Sequence, residues 1–221
     1  MEYNVAMIQC YDKLMLKQKN ALAGQKPTLL LHVCCAGCAS YCLTQLVDTF
    51  DVTLYYSNDN ITDQQEWQKR LDEINRLVDI VNNGQFVVQP VVPVKVVAKP
   101  HAPQDFLQAA KGYEKEKEGG KRCTICFEYR IGSSVQYAQQ NNFQFVTTTL
   151  TVSPYKNSKT LNEIGKRLTT GTTKWLPNNF KKRNGYDISI ELCDKYNIYR
   201  QHYCGCCFSF AQMQQSCETN E

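Results

Sequence analysis

The chain reads as an α/β protein with a doubly wound, mostly parallel sheet. Short apolar or β-branched runs alternate with segments of helical spacing, the pattern of strand–helix–strand units. The run from Thr28 to Val33 has no polar alternation, as expected of a strand buried on both faces. That run ends directly in a cysteine-rich turn, and the end of a strand is where such folds place chemistry.

Each element follows from local signals. Asn4 to Lys19 mixes apolar and charged residues at helical spacing, and Gly24 and Pro27 break it before the first strand. Residues 1–27 therefore read as a helical extension, and 28–221 as a single α/β domain ending in a Cys-Gly-Cys segment. After the thiol-rich turn, Ser40 to Phe50 predicts a helix. Asp51 to Tyr56 is rich in β-branched and aromatic residues and predicts the second strand, stopped by the loop signal Ser57-Asn58-Asp59-Asn60. A long helix follows over Asp63 to Val81. Phe86 to Val97 offers a third strand that Pro90 and Pro93 interrupt, which makes it split or an edge strand. Gln104 to Lys117 predicts a helix, Arg122 to Gln140 another, and Gln144 to Thr149 a further strand. Beyond Leu150 the pattern predicts loops and helices only.

Twelve cysteines would suit a short secreted scaffold, but 221 residues can bury a core without covalent help. No stretch resembles a signal peptide, and the apolar runs are too short or too broken by proline to span a bilayer. We expect a cytoplasmic protein with reduced thiols and no membrane partner. Clustered cysteines in that compartment point to metal, redox chemistry or a nucleophile. The net charge of +4 fits a globular domain and only hints at polyanions. Lys156, Lys159, Lys166, Arg167, Lys174 and Lys181-Lys182-Arg183 concentrate positive charge in the C-terminal half. Such a run is more often simply a solvated face.

The thiols fall into groups. Successive side chains of a strand point to opposite faces, so Cys34 and Cys35 converge only in the irregular turn beyond it. Cys123 and Cys126 form a Cys-x-x-Cys at a helix start, where the dipole favours thiolates. Four soft ligands, Cys34, Cys35, Cys123 and Cys126, suit a cubane iron–sulfur cluster. Structural zinc is the alternative, although three histidines in the whole chain leave few nitrogen ligands. A third alternative is that these are small buried apolar residues. Cys204-Gly205-Cys206 is close enough for a strained, reducible disulfide or for a shared second metal.

Several motifs in order carry a family resemblance. They are Leu31-His32-Val33-Cys34-Cys35-Ala36, Asn60-Ile61 with Glu66 and Arg70, Arg122-Cys123 through Cys126 to Arg130, and Thr147 to Pro154 with Lys156 and Asn157. Phe180-Lys181-Lys182 with Gly185-Tyr186 follows, then Tyr199-Arg200-Gln201 and Tyr203-Cys204-Gly205-Cys206 before Phe208-Ser209. From Leu29 to Phe210 the chain resembles the QueH-type epoxyqueuosine reductases, which complete the queuosine nucleoside of transfer RNA. The resemblance implies a fold like that of the adenine nucleotide α-hydrolases, with cysteines where a phosphate loop would otherwise stand. It implies a [4Fe–4S] cluster on Cys34, Cys35, Cys123 and Cys126 and a redox-active pair at Cys204 and Cys206. Cys38 matches a position that varies between cysteine and a carboxylate, so it is a candidate ligand for an additional metal such as iron. Gly37 stands where the family typically has proline, and Asp59 where it has proline between two asparagines.

The reaction so implied is the two-electron, two-proton reduction of the epoxide in epoxyqueuosine, which releases water and needs an external electron donor. A second metal on Cys38, Cys204 and Cys206, or an acid such as Asp59, would meet the charge on the leaving oxygen. The partner would be a transfer RNA carrying epoxyqueuosine at the wobble position, read through phosphate contacts and a pocket. Lys156, Lys181, Lys182 and Arg200 are the phosphate candidates, with Arg183 beside them. Thr147, Thr148 and Ser153 sit at a strand end and could hydrogen-bond the substrate, with strand propensity and capping as the plain alternatives. Arg130, one helical turn beyond Cys126, either tunes a cluster through its charge or makes a surface ion pair. Two other classes fit part of the chain: a zinc-stabilised RNA-binding module, which leaves the vicinal cysteines unexplained, and a transfer-RNA thiolation enzyme of the same fold, which lacks its phosphate loop.

Overall fold

The computed structural model describes residues 10–218, with side chains described through residue 215. The start of the first expected helix and Cys217 lie outside the residues so described. Helix α1, Tyr11–Ala21, packs Met15 fully into the core, and its Lys19 pairs with Asp48 at 2.9 Å.

Five parallel strands make the sheet, in the order β3-β2-β1-β4-β5. They are β1 (Thr28–His32), β2 (Asp51–Tyr56), β3 (Lys95–Ala98), β4 (Phe145–Thr148) and β5 (Lys174–Trp175). The third strand starts later than its sequence suggests, beyond both prolines, and lies at the sheet edge where proline is tolerated. Strand β5 corrects the expectation of loops and helices only beyond Leu150. Its two residues pair with Phe145 and Val146, and so short a strand leaves no period in a sequence.

Alternation along β1 divides the core. Leu29, Leu31 and Val33 face α2 (Ala36–Leu46), α3 (Gln64–Asn82) and α7 (Gly185–Lys195), whereas Leu30 faces α5 (Lys121–Gln140) and α6 (Ser158–Leu168). Helices thus cover both faces, as a parallel sheet requires. Helix α4, Pro103–Ala109, is shorter than expected. The charged stretch after it folds back in turns around the buried Arg122, whose guanidinium donates to the carbonyls of Tyr113, Glu114 and Glu116.

Helix α2 begins at Ala36, four residues before the sequence-predicted start. No Ser, Thr, Asp or Asn announces it; the sulfur of Cys35 accepts the Cys38 amide at 3.4 Å in the capping position. Gly37 therefore lies in the first helical turn and not in a loop. A Cβ there would meet the Cys193 sulfur at 3.0 Å, so glycine lets α7 pack closely on α2. Helix α3 has an ordinary cap: Asp63 accepts the Glu66 amide at 2.7 Å. Asp63→Ala should cost about 1 kcal/mol of stability, read as a lower urea midpoint at unchanged slope.

Candidate thiol-lined active site

Strands β1 and β4 are neighbours, but the chain leaves them in opposite directions, to α2 on one face and to α6 on the other. That divergence opens a crevice at the carboxyl ends of the strands, where ligands bind in open α/β sheets. A cavity of about 620 Å3 occupies it, within the size range that encloses a small-molecule group. Its wall carries Cys34, Cys35 and Cys38 from the β1–α2 junction, Leu150 to Lys156 in part, and Arg200 to Cys204.

The sulfurs of Cys34, Cys35 and Cys38 all lie within 4.8 Å of one another. Cys34 and Cys35 are buried and Cys38 is half-buried. Hydrogen bonds from Cys35 and Cys38 hold the Cys34 thiol well below the ordinary thiol range, with Arg130 and Lys156 adding positive charge against the cost of burial. Cys35, which donates a hydrogen bond to Cys34, is pushed up to about 12, and Cys38 is raised for the same reason. The trio thus favours the thiolate form at Cys34 and makes a soft donor set with the chemistry of a metal site.

A second, narrow crevice adjoins the cavity and is lined by Cys123, Cys126, Cys204 and Cys206. Cys204 and Lys156 line both spaces. Burial pushes Cys126 up to about 12 and raises Cys123 and Cys206, so binding a soft metal here would release protons. Three helix N-termini converge on the two spaces. Cys35 caps α2, Cys123 lies in the first turn of α5, and Cys206 immediately precedes α8 (Cys207–Glu218), its sulfur accepting the Ser209 amide at 3.4 Å. The positive ends of these helices favour thiolates.

The expected quartet is divided between the two spaces: among the described residues Cys34 and Cys35 group most tightly with Cys38, while Cys123 and Cys126 share the crevice with the Cys-Gly-Cys pair. Arg130 is not at the surface. It is 1 % exposed, donates to the Asn58 side chain, and its charge acts on both Cys34 and Cys126. A surface ion pair is therefore excluded. Lys156 and Arg200 line the cavity, as does Ser153. Burial disfavours the Lys156 charge, but Cys204, Cys34 and Cys38 outweigh it and raise its pKa.

Other candidates lie away from the cavity wall. Lys181 donates to the carbonyls of Ser153 at 3.1 Å and Lys156 at 2.5 Å, while Lys182 is exposed and away from the cavity wall. Thr147 donates to the Leu176 carbonyl at 2.7 Å; Thr148 caps the Leu150 amide at 3.1 Å and meets His32 Nδ1 at 2.9 Å. Both threonines are fully buried. Asp59 accepts from Lys99 at 2.5 Å and from Tyr129 at 2.9 Å and does not line the cavity.

Arg70 received no role from the sequence because a Glu66–Arg70 spacing reads as an ordinary pair on a helix surface. It is 2 % exposed, and beyond Glu66 its guanidinium donates to the carbonyls of Cys204 at 3.2 Å and Tyr203 at 3.3 Å. Gln201 likewise donates to the Cys35 sulfur at 3.0 Å. Both tie the C-terminal segment to the β1–α2 thiols.

Residues 29–212 match the family model described as epoxyqueuosine reductase QueH. This chain belongs to that family. QueH proteins are oxidoreductases, and curated relatives named epoxyqueuosine reductase QueH align over most of their length. The protein of Streptococcus pyogenes serotype M1 is 37% identical over 92% of this chain and 79% of its own. That of Staphylococcus epidermidis is 37% identical over 90% and 84%, and that of Staphylococcus aureus 37% over 93% and 85%. The QueH match spans both thiol groups and the Arg70 clamp. No helix among the described residues is long and apolar enough to cross a membrane.

Proposed function

We propose that this protein reduces epoxyqueuosine in transfer RNA to queuosine with a [4Fe–4S] cluster. The observation that carries the reading is the convergence of Cys34, Cys35, Cys38, Cys123, Cys126, Cys204 and Cys206, from three chain segments, on two joined spaces at the strand ends. Cys34, Cys35, Cys123 and Cys126 would hold the cluster. Cys38, Cys204 and Cys206 would hold a second metal such as iron, or Cys204 and Cys206 would cycle between dithiol and disulfide. An iron–sulfur cluster supplies electrons one at a time at a potential set by its surroundings. The soft donors fit such a group, since the three sulfurs of the trio lie within 4.8 Å of one another and three helix ends favour thiolates.

The reaction consumes two electrons from an external donor and two protons. Both epoxide C–O bonds break, a C=C bond forms in the cyclopentane ring, and the oxygen leaves as water. Lys156 holds a positive charge against the cavity where negative charge on the leaving oxygen is to be met. Asp59, bound to Lys99 and Tyr129, is better placed to fix the loop after β2 than to deliver a proton. Lys156 and Arg200 supply charge for RNA phosphates, and the open cavity takes the modified nucleoside turned out of its loop.

The test is anaerobic purification, followed by iron and sulfide analysis and incubation with epoxyqueuosine transfer RNA and dithionite. About four irons per chain, with queuosine formed in the RNA, is the expected result. Zinc in place of iron and no conversion would overturn the reading.

A further inference from the structure

The cavity mouth carries an aromatic side chain that the fold does not use. Tyr155 is 80% exposed and has no hydrogen bond or ring contact among the described residues. Its loop is nevertheless pinned on both sides. Lys181 holds the carbonyls of Ser153 and Lys156, and Asn157 caps α6 by accepting the amides of Lys159 at 2.9 Å and Thr160 at 3.3 Å. An exposed apolar ring costs solvation, and a braced backbone beneath it means that the ring is presented, not left over from a slack loop. On the same cavity wall, Arg200 and His202 are exposed and also without hydrogen-bond or ion-pair partners among the described residues. Arg70 fixes the carbonyls just beyond them.

A ring on a braced backbone and an unpaired guanidinium lining one nucleoside-sized cavity have the composition of a single-stranded RNA platform, in which bases stack on aromatic faces while charges track the phosphates. We propose that Tyr155 stacks on the nucleobase next to the one held in the cavity, with Arg200 taking a neighbouring phosphate. The inference rests on the transfer-RNA reading above and adds to it the residue that keeps the target nucleotide out of its own stack. A turned-out base leaves its neighbour with one bare face, and Tyr155 covers that face.

The experiment uses the iron-loaded protein and two anticodon stem-loop RNAs, each with 2-aminopurine on one side of the wobble position. With wild type, binding to one of the two should change the 2-aminopurine emission as its stacking changes. Tyr155→Phe should bind within twofold of wild type with the same signal, whereas Tyr155→Ala should bind about tenfold more weakly and lose it. Queuosine formation at subsaturating RNA should fall with binding in Tyr155→Ala and persist in Tyr155→Phe. So exposed a side chain is not needed for folding, and unchanged iron content checks this. Tyr155→Ala binding both RNAs as wild type does would overturn the stacking role while leaving the reductase reading intact. Unchanged RNA affinity with a raised KM for the electron donor would also overturn it and assign the ring to a protein partner. Wild type that neither binds the RNAs nor converts epoxyqueuosine would overturn both readings together.

Discussion

Gly205→Ala is expected to lose about a hundredfold or more of epoxyqueuosine reduction while remaining folded. Gly205 stands between Cys204 and Cys206 at φ +108°, a backbone conformation that side chains rarely adopt. A Cβ there would lie 2.8 Å from Ile61 and 3.2 Å from both terminal nitrogens of Arg70. Those nitrogens hold the carbonyls of Cys204 and Tyr203, and the Thr62 amide holds the Gly205 carbonyl at 3.2 Å. The added methyl group therefore pushes on the clamp that aims Cys204 at the space between the two thiol groups. Displacement by about 1 Å is enough for a hundredfold loss in a positioned reaction. The strain itself costs about 1–3 kcal/mol, which a folded domain can absorb. Single-turnover rates and circular dichroism on the same preparation check the pair of claims. Wild-type rates with an intact fold would show that the Cys-Gly-Cys geometry does not limit the reaction.

The clamp also explains why a glycine is needed at this point of the chain. On an extended segment two cysteines separated by one residue share a face but stand about 7 Å apart along it. The positive φ at Gly205 turns the chain so that both Cys204 and Cys206 reach the crevice with Cys123 and Cys126. Helix α8 then starts directly after, with the Cys206 sulfur accepting the Ser209 amide. Turn, sulfur placement and helix cap are one local arrangement.

The sheet was readable because its strands differ sharply from what surrounds them. Asp51 to Tyr56 is a strand to the residue, and Thr28 to His32 needed only its apolar run. Helix α2 began earlier than expected because sulfur, not oxygen, supplies its cap, and β5 escaped because two residues carry no periodicity. At the site, local spacing singled out the cysteines as a set, and seven of them line the two spaces at the strand ends. It did not reveal their division, because the neighbours of Cys38 and Cys204 are decided by long-range packing. Buried arginines were the least legible feature. Arg70, Arg122 and Arg130 are among the largest fully buried side chains, yet a charged residue on a helix reads as surface until its partners are seen. Thr147 and Thr148 show the converse: their place at a strand end suggested substrate contacts, and the fold uses both hydroxyls itself.

Arg130→Met should leave the stability of the iron-free protein within about 2 kcal/mol of wild type while lowering the reactivity of Cys34 about threefold to tenfold on the acid side of its titration. The two effects have different origins. Methionine relieves the desolvation of a guanidinium that is 1 % exposed, which is favourable, but it strips the Asn58 carbonyl oxygen of its donor, which costs about 1–3 kcal/mol. These nearly offset. Nothing offsets the electrical loss, because the Arg130 charge favours the thiolate forms of both Cys34 and Cys126. The sign is fixed: removing a cation raises a thiol pKa, reduces the thiolate fraction at a given pH and slows alkylation. Urea unfolding measures the first effect, and the pH profile of iodoacetamide labelling, read peptide by peptide, measures the second. Arg130→Lys keeps the charge and should restore part of the reactivity, which a purely packing role would not predict. Iron retention should follow the thiolates, falling in Arg130→Met and recovering in part in Arg130→Lys, since a cluster can be held only by sulfurs that have given up their protons. Labelling profiles that coincide in all three proteins would show that Arg130 is buried for packing alone.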